Sequence, residues 1–230
     1  MNAIKKILAA ALLIVGANTS YAQDFFDTSA PDKLMTLGVR VGVNTSNQTS
    51  PSDNKELNLD SWGTGFTAGA VVDINFRDFF AIQPSAFFES RSHNYSYLTE
   101  SMSASGLSLT QHRYGHTRST WLKIPLMASF RFNPAPSLRW AIEAGPVFGF
   151  GLGGHDKVNI ALPEAEPMHF KTTYFDTYKK WSFALKFGTT LRYADHYLLG
   201  IHYEAGTSQV YKHIKGGHHK AWTISLGYDF

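Results

Sequence analysis

Strict alternation of apolar and polar residues recurs along most of the chain, in windows of about ten residues. The clearest window is the last, where Trp222, Ile224, Leu226, Tyr228 and Phe230 fall on one face and Thr223, Ser225, Gly227 and Asp229 on the other. The same period runs from Met35 to Asn44, Phe66 to Phe76, Phe80 to Arg91, Leu122 to Phe132, Leu138 to Gly151, Trp181 to Tyr193 and Tyr197 to Gly206. Val71 is an apolar exception on a polar face, and Pro84 and an inward Phe87 interrupt the window that holds them.

The connections between windows are of two kinds. Arg77-Asp78, Asn133 to Pro136 and Asp195-His196 are short, whereas residues 47–63, 94–117, 154–179 and 208–220 form long ones. Long and short alternate strictly, as in an up-and-down barrel with tight turns at one end and loops at the other. The predicted fold is therefore all-β: an eight-stranded antiparallel transmembrane barrel over residues 35–230, with both termini on the periplasmic side. A soluble two-sheet sandwich also has alternating strands. Its outward rings would each need a partner sheet, while charges lined the opposite face of nearly every strand. In lipid the pattern follows directly, because an unpaired backbone group costs several kcal/mol there and the sheet must close. Aromatic residues near the strand ends, among them Trp62, Trp121, Trp140, Trp181, Tyr193, Tyr197 and Trp222, are predicted to form the two interfacial girdles.

The start of the chain predicts export. Lys5 and Lys6 precede an apolar core from Ile7 to Ala17, and Ser20-Tyr21-Ala22 is a small-x-small cleavage site, so residues 1–22 read as a signal peptide. That apolar core is shorter than the roughly 20 residues a membrane helix needs. Residues 23–34 are then an N-terminal segment on the periplasmic side, and a mature chain starting at Gln23 has no cysteine for a lipid anchor.

Composition narrows the picture. With no cysteine, an exported protein must be stabilised by hydrogen bonding and packing, which suits a closed barrel. The 21 basic and 18 acidic residues become 19 and 18 once Lys5 and Lys6 are removed, so the sequence pI of about 9.0 is no nucleic-acid signal. Aromatic content of 14% with a mean hydropathy of −0.19 fits a body that is apolar outside and polar inside.

The polar faces collect Arg40, Asp73, Glu89, Arg91, Lys123, Arg131, Arg139, Glu143, Lys186, Arg192 and Glu204, with His202 and Asp229 beside them. Eight strands enclose a lumen just wide enough for side chains to fill, so these residues are expected to pair as a polar core. A solute pathway is the alternative use of ionisable groups at membrane depth, and the near balance of signs favours neutralisation. His213, His218 and His219 lie close together, but Lys212, Lys215 and Lys220 around them would repel a cation, and His112 and His116 have no better company. No metal or cofactor is expected. No spacing singles out a nucleophile, base and orienting carboxylate, so the reading is non-enzymatic. Gly149, Gly151, Gly153 and Gly154 end a strand and suit bending or close packing rather than phosphate binding.

The segment Leu37 to Ser46, then Gly65 to Gly69, Ile82-Gln83-Pro84, Leu122 to Leu126, Ala144-Gly145-Pro146 and the closing Leu226 to Phe230 resemble the PorT-type outer-membrane barrels of Bacteroidetes-like bacteria. The resemblance implies a small monomeric barrel and a link to surface-protein export through the type IX pathway. It brings no catalytic residues. The terminal Tyr228 and Phe230 resemble the signal read by the barrel assembly machinery. The expected partners are outer-membrane lipid, that machinery, and envelope or secretion proteins. The leading expectation is a scaffold or accessory role, with two alternatives: a narrow pore, or a surface-binding barrel. The second would use Tyr95, Tyr97, Tyr114, Tyr174, Phe175 and Tyr178 in the long loops as contact groups, where loop packing is their plainer use.

Overall fold

The computed structural model describes residues 25–49, 61–102, 108–161, 167–212 and 217–230. The predicted signal peptide, residues 1–22, and His213 lie outside them. The elements are β1 (Met35–Gln48), β2 (Ser61–Arg77), β3 (Phe80–Met102), β4 (Ser108–Ala135), β5 (Leu138–Ala161), β6 (Met168–Thr173), α1 (Tyr174–Thr177), β7 (Trp181–Tyr193), β8 (Tyr197–Gly206) and β9 (His219–Asp229).

Eight of the strands close into a ring in the order β1-β2-β3-β4-β5-β7-β8-β9, every pair antiparallel. The first and last strands complete it, from Gly38 opposite Asp229 to Gln48 opposite His219. Closure leaves no open edge in the ring, which is the condition for a sheet to sit in hydrocarbon. The alternation read in the sequence then sorts the faces. Val43, Phe66, Phe148, Leu185, Ile224 and Leu226 are exposed on the outside, while Arg40, Asp73, Lys123, Glu143 and Glu204 are buried within. The described segment from Phe25 and the C-terminal Phe230 both lie at the short-turn end. There Phe25 and Phe26 pack on Phe132, with ring centroids 5.4 and 4.9 Å away. The amides of Asp78 and Asn75 donate to the carbonyls of Ser29 and Leu34, so the N-terminal segment is tied across that end.

Two of the long connections are largely strand. β3 and β4 stay paired as far as Met102 opposite Ser108, and β5 continues to Ala161. Above the point where Phe150 pairs with Trp181, β5 exchanges β7 for β6, which lies outside the ring and pairs from His155–Thr173 to Ile160–Met168. The upper parts of β3, β4, β5 and β6 thus form a four-stranded sheet projecting from the barrel. Alternation could not mark it, because beyond the membrane both faces of a strand meet water and the apolar period is lost. The turn after β7 also differs in detail: it spans Ala194 to His196, with Ala194 at φ 49° and Asp195 at φ 62°.

Candidate functional site

The lumen is built from inward residues that alternate with the lipid-facing ones, and it contains three charge groups stacked along its axis. Nearest the long-loop end, Glu204 Oε1 accepts from Arg91 Nη2 at 2.8 Å and from Lys123 Nζ at 3.0 Å, and Arg91 also pairs with Glu89. In the middle, Glu143 Oε2 lies 2.6 Å from His202 Nε2 and accepts from Thr190 Oγ1 at 3.0 Å. Nearest the short turns, Asp73 Oδ2 accepts from Arg131 and Arg192, both at 2.7 Å. Arg192 reaches Asp229 as well, at 2.6 Å, and Arg40 donates to the other oxygen of Asp229 at 2.6 Å. Gly38 and Gly227 make room for this group: a Cβ at Gly38 would collide with the Asp229 carboxylate, and one at Gly227 with the Arg40 stem.

Two residues expected in the paired core are placed differently. Arg139 sits at the short-turn rim with a side chain 31% exposed, where it pairs with Asp78 at 3.1 Å and Asp195 at 3.2 Å. The reason is its position as the second residue of β5, at the turn rather than at membrane depth. Lys186 does face inward, but its Nζ lies 5.4 Å over the Phe87 ring.

The long-loop end is capped by aromatic residues. Trp121, Tyr174, Phe175, Tyr178, Val210 and Tyr211 form one buried cluster. Tyr174 and Tyr178, one turn apart on and after α1, stack at 4.1 Å with planes 10° apart. Trp121 meets Phe175 edge-on at 5.5 Å and donates to Ser119 Oγ at 2.9 Å. Gly151 leaves the space that the Phe175 ring fills. Trp121 is therefore no girdle residue, since its neighbour Leu122 takes the lipid face. Nor are Tyr95, Tyr174, Phe175 and Tyr178 surface contact groups, because all four are buried. The inward place of Trp121 was readable from the alternation, and the spacing of Tyr174, Phe175 and Tyr178 suits one helical turn; that this turn folds into the barrel mouth is a tertiary outcome.

Above the lipid-facing band, Tyr95 Oη donates to Asp156 Oδ1 at 3.0 Å, and burial pushes the Asp156 carboxyl up to about 6 despite that bond. His93 is held down to about 4 by burial and, secondarily, by His116, so it stays neutral beside Thr117. His218 and His219 diverge: His218 Nδ1 lies 3.2 Å from the Ser208 carbonyl, while His219 is buried against Trp121. Among the described residues no group of three His, Cys, Asp or Glu side chains could hold a metal ion. The Thr190 and His202 side chains both address one carboxylate oxygen of Glu143 and do not form a nucleophile-to-base relay.

Among the described residues, the spaces between the charge groups include one of about 50 Å³ around Glu143 and one of about 10 Å³ beside Arg131. A mouth of about 280 Å³ opens at the short-turn end, beside Lys33, Arg139 and His196. Fold and lumen together define a class: a small membrane-spanning β-barrel whose interior is filled by paired charges and capped by aromatics. The sequence profile described as the outer membrane protein beta-barrel domain matches residues 21–212, and the chain belongs to that family. Among solved structures it is similar to Ail, the attachment invasion locus protein of Yersinia pestis, at 12% identity and a TM-score of 0.39, covering 86% of this chain and 100% of that one. It is similar to neisserial surface protein A at 11% identity and a TM-score of 0.41, covering 84% and 97%. OprG of Pseudomonas aeruginosa matches at 10% identity and a TM-score of 0.42, covering 86% and 97%. No curated protein sequence matches the chain.

Proposed function

We propose that this barrel is a non-conducting, non-enzymatic anchor that presents the projecting β3–β6 sheet to partners in the envelope, in support of protein secretion. The observation that supports the reading is the lumen, filled from the aromatic cap through three charge groups, beyond which a mouth of about 280 Å³ opens at the short turns. An interior closed in this way leaves the projecting sheet as the surface free to act. At β5 and β6 one side of that sheet carries an apolar patch, with Phe170 opposite Val158 and Met168 opposite Ile160, and Phe170 and Met168 are exposed. Exposed apolar area of this kind suits contact with another protein. The PorT-like motifs point the same way, toward surface-protein export.

Orientation belongs to the same reading. Residues 1–22 direct export and are removed after Ala22, which the mass of the purified protein would show directly. The short turns and both termini then face the periplasm and the long hairpins face outward. Tyr228 and Phe230, at the exposed end of β9, serve as the assembly signal.

The test is complementation of a deletion strain. A variant carrying Met168→Ser and Phe170→Ser, which removes the exposed apolar side chains of β6, should still fold as a heat-modifiable barrel but fail to restore surface-protein export. Full restoration by this variant would show that the apolar patch of the projecting sheet is not the contact surface.

A further inference from the structure

The outer wall carries two adjacent features that the lumen and the cap do not use. The first is an apolar groove of about 480 Å³ between β4, β5 and β7, walled by Leu122, Ile124, Phe148, Phe150, Trp181 and Phe183. The second lies just beyond its upper end, on two of the same strands and their neighbour. Arg118 pairs with His155, His116 with Lys157, and Lys157 with Lys171, so these five basic residues share one face of β4, β5 and β6. That face is the outward one, because Thr117 and Ser119, on either side of Arg118, are buried on the inner side.

Arg118, Lys157 and Lys171 are exposed. None of them makes an ion pair among the described residues. Asp156 turns to the opposite face, where Tyr95 holds it. Burial, then the nearby Lys171, Lys157 and Arg118, keep His155 below the ordinary imidazole range, which places these cations together in space. Lys179 adds a further charge at the groove's edge, its Nζ 5.5 Å from the centre of the Trp181 ring.

The spacing matches a lipid. Arg118 is four residues beyond Leu122 and His155 five beyond Phe150, or roughly 13–16 Å along the strands before tilt, which puts the charges at headgroup depth. Across three strands about 4.8 Å apart, and along two residues of each, the basic face spans on the order of 10 Å, wide enough for two phosphates. Each lysine or arginine close to an anionic lipid surface strengthens binding about fivefold.

We propose that this face binds a single lipid carrying more than one phosphate, with an acyl chain in the groove and the phosphates against Arg118, His155, Lys157 and Lys171. The leaflet that supplies it is the outer one, on the orientation proposed above; binding in a micelle does not depend on that orientation.

Native mass spectrometry of the refolded mature chain in non-ionic detergent tests the site, with diphosphoryl lipid A, phosphatidylcholine and inorganic pyrophosphate as probes. One diphosphoryl lipid A should be retained, phosphatidylcholine much less, and pyrophosphate not at all. The combined substitutions Arg118→Ala, Lys157→Ala and Lys171→Ala should keep the heat-modifiable fold and lower lipid A retention at least roughly tenfold. If that variant fails to fold, Lys157→Glu alone should show a smaller loss in the same direction. Equal retention by variant and wild type, or equal retention of phosphatidylcholine, overturns the proposal. Pyrophosphate binding as well as the lipid does so too, since the groove would then play no part.

Discussion

Glu204 bridges Arg91 Nη2 and Lys123 Nζ, at 2.8 and 3.0 Å; Arg91 also has Glu89, whereas Lys123 has no other ion-pair partner among the described residues, and all these side chains are buried. Removing one member of a buried ion group leaves the others charged without compensation, which costs about 3–5 kcal/mol. Glu204→Ala is therefore expected to lower unfolding free energy by at least about 3 kcal/mol in urea titrations of the vesicle-embedded barrel. An unchanged unfolding curve would mean that water, not Glu204, neutralises Lys123. Asp156 makes a different prediction. Its carboxyl is raised to about 6 by burial, above the unfolded value of about 3.9. The folded state therefore binds the proton more tightly. The stability this brings is fully present below about pH 4 and is lost as pH rises through about 6. Hydrogen-exchange protection factors in the upper parts of β3 and β5 should rise between pH 7 and pH 5, and Asp156→Asn should abolish the rise.

Among the elements, β9 both closes the ring and ends the chain. Its pairing with β1 runs from Asp229–Gly38 to His219–Gln48, and the amide of Phe230 donates to the Leu37 carbonyl at 2.9 Å beyond it. Phe230 is 59% exposed, its ring meeting Tyr228 edge-on at 5.3 Å, and in the proposed reading it serves as the assembly signal. Deleting Phe230 is expected to cut the folded fraction in the outer membrane severalfold while leaving the stability of what does fold nearly unchanged. Normal assembly would show that the ring is not the signal. The ring strands were legible because lipid on one side and a polar lumen on the other impose a period of two. That constraint stops at the headgroups, which is why Tyr95 to Met102 and His155 to Ala161 looked like loops although both are paired strand. The lumen charges were legible for the same reason, except near the turn, where Arg139 has left membrane depth, and at Lys186, which lies over the Phe87 ring. The cap was not, because Tyr174, Phe175 and Tyr178 come from a connection whose docking depends on the glycine space opened at Gly151.

At the scale of the whole molecule, the proposed function requires a closed lumen. Three paired charge groups and an aromatic cap occupy its axis, and the spaces left around Glu143 and Arg131 are about 50 and 10 Å³. In the proposed reading such a barrel fixes its projecting sheet and its short-turn face in the membrane without joining the two compartments, leaving its outer wall for lipid and the projecting sheet for protein. The most direct measurement is the conductance of the refolded mature chain in a planar bilayer, made after its gel mobility has been shown to shift on heating. The account predicts a heat-modifiable protein that is electrically silent. Steady, reproducible single-channel conductance from the same folded material would contradict it.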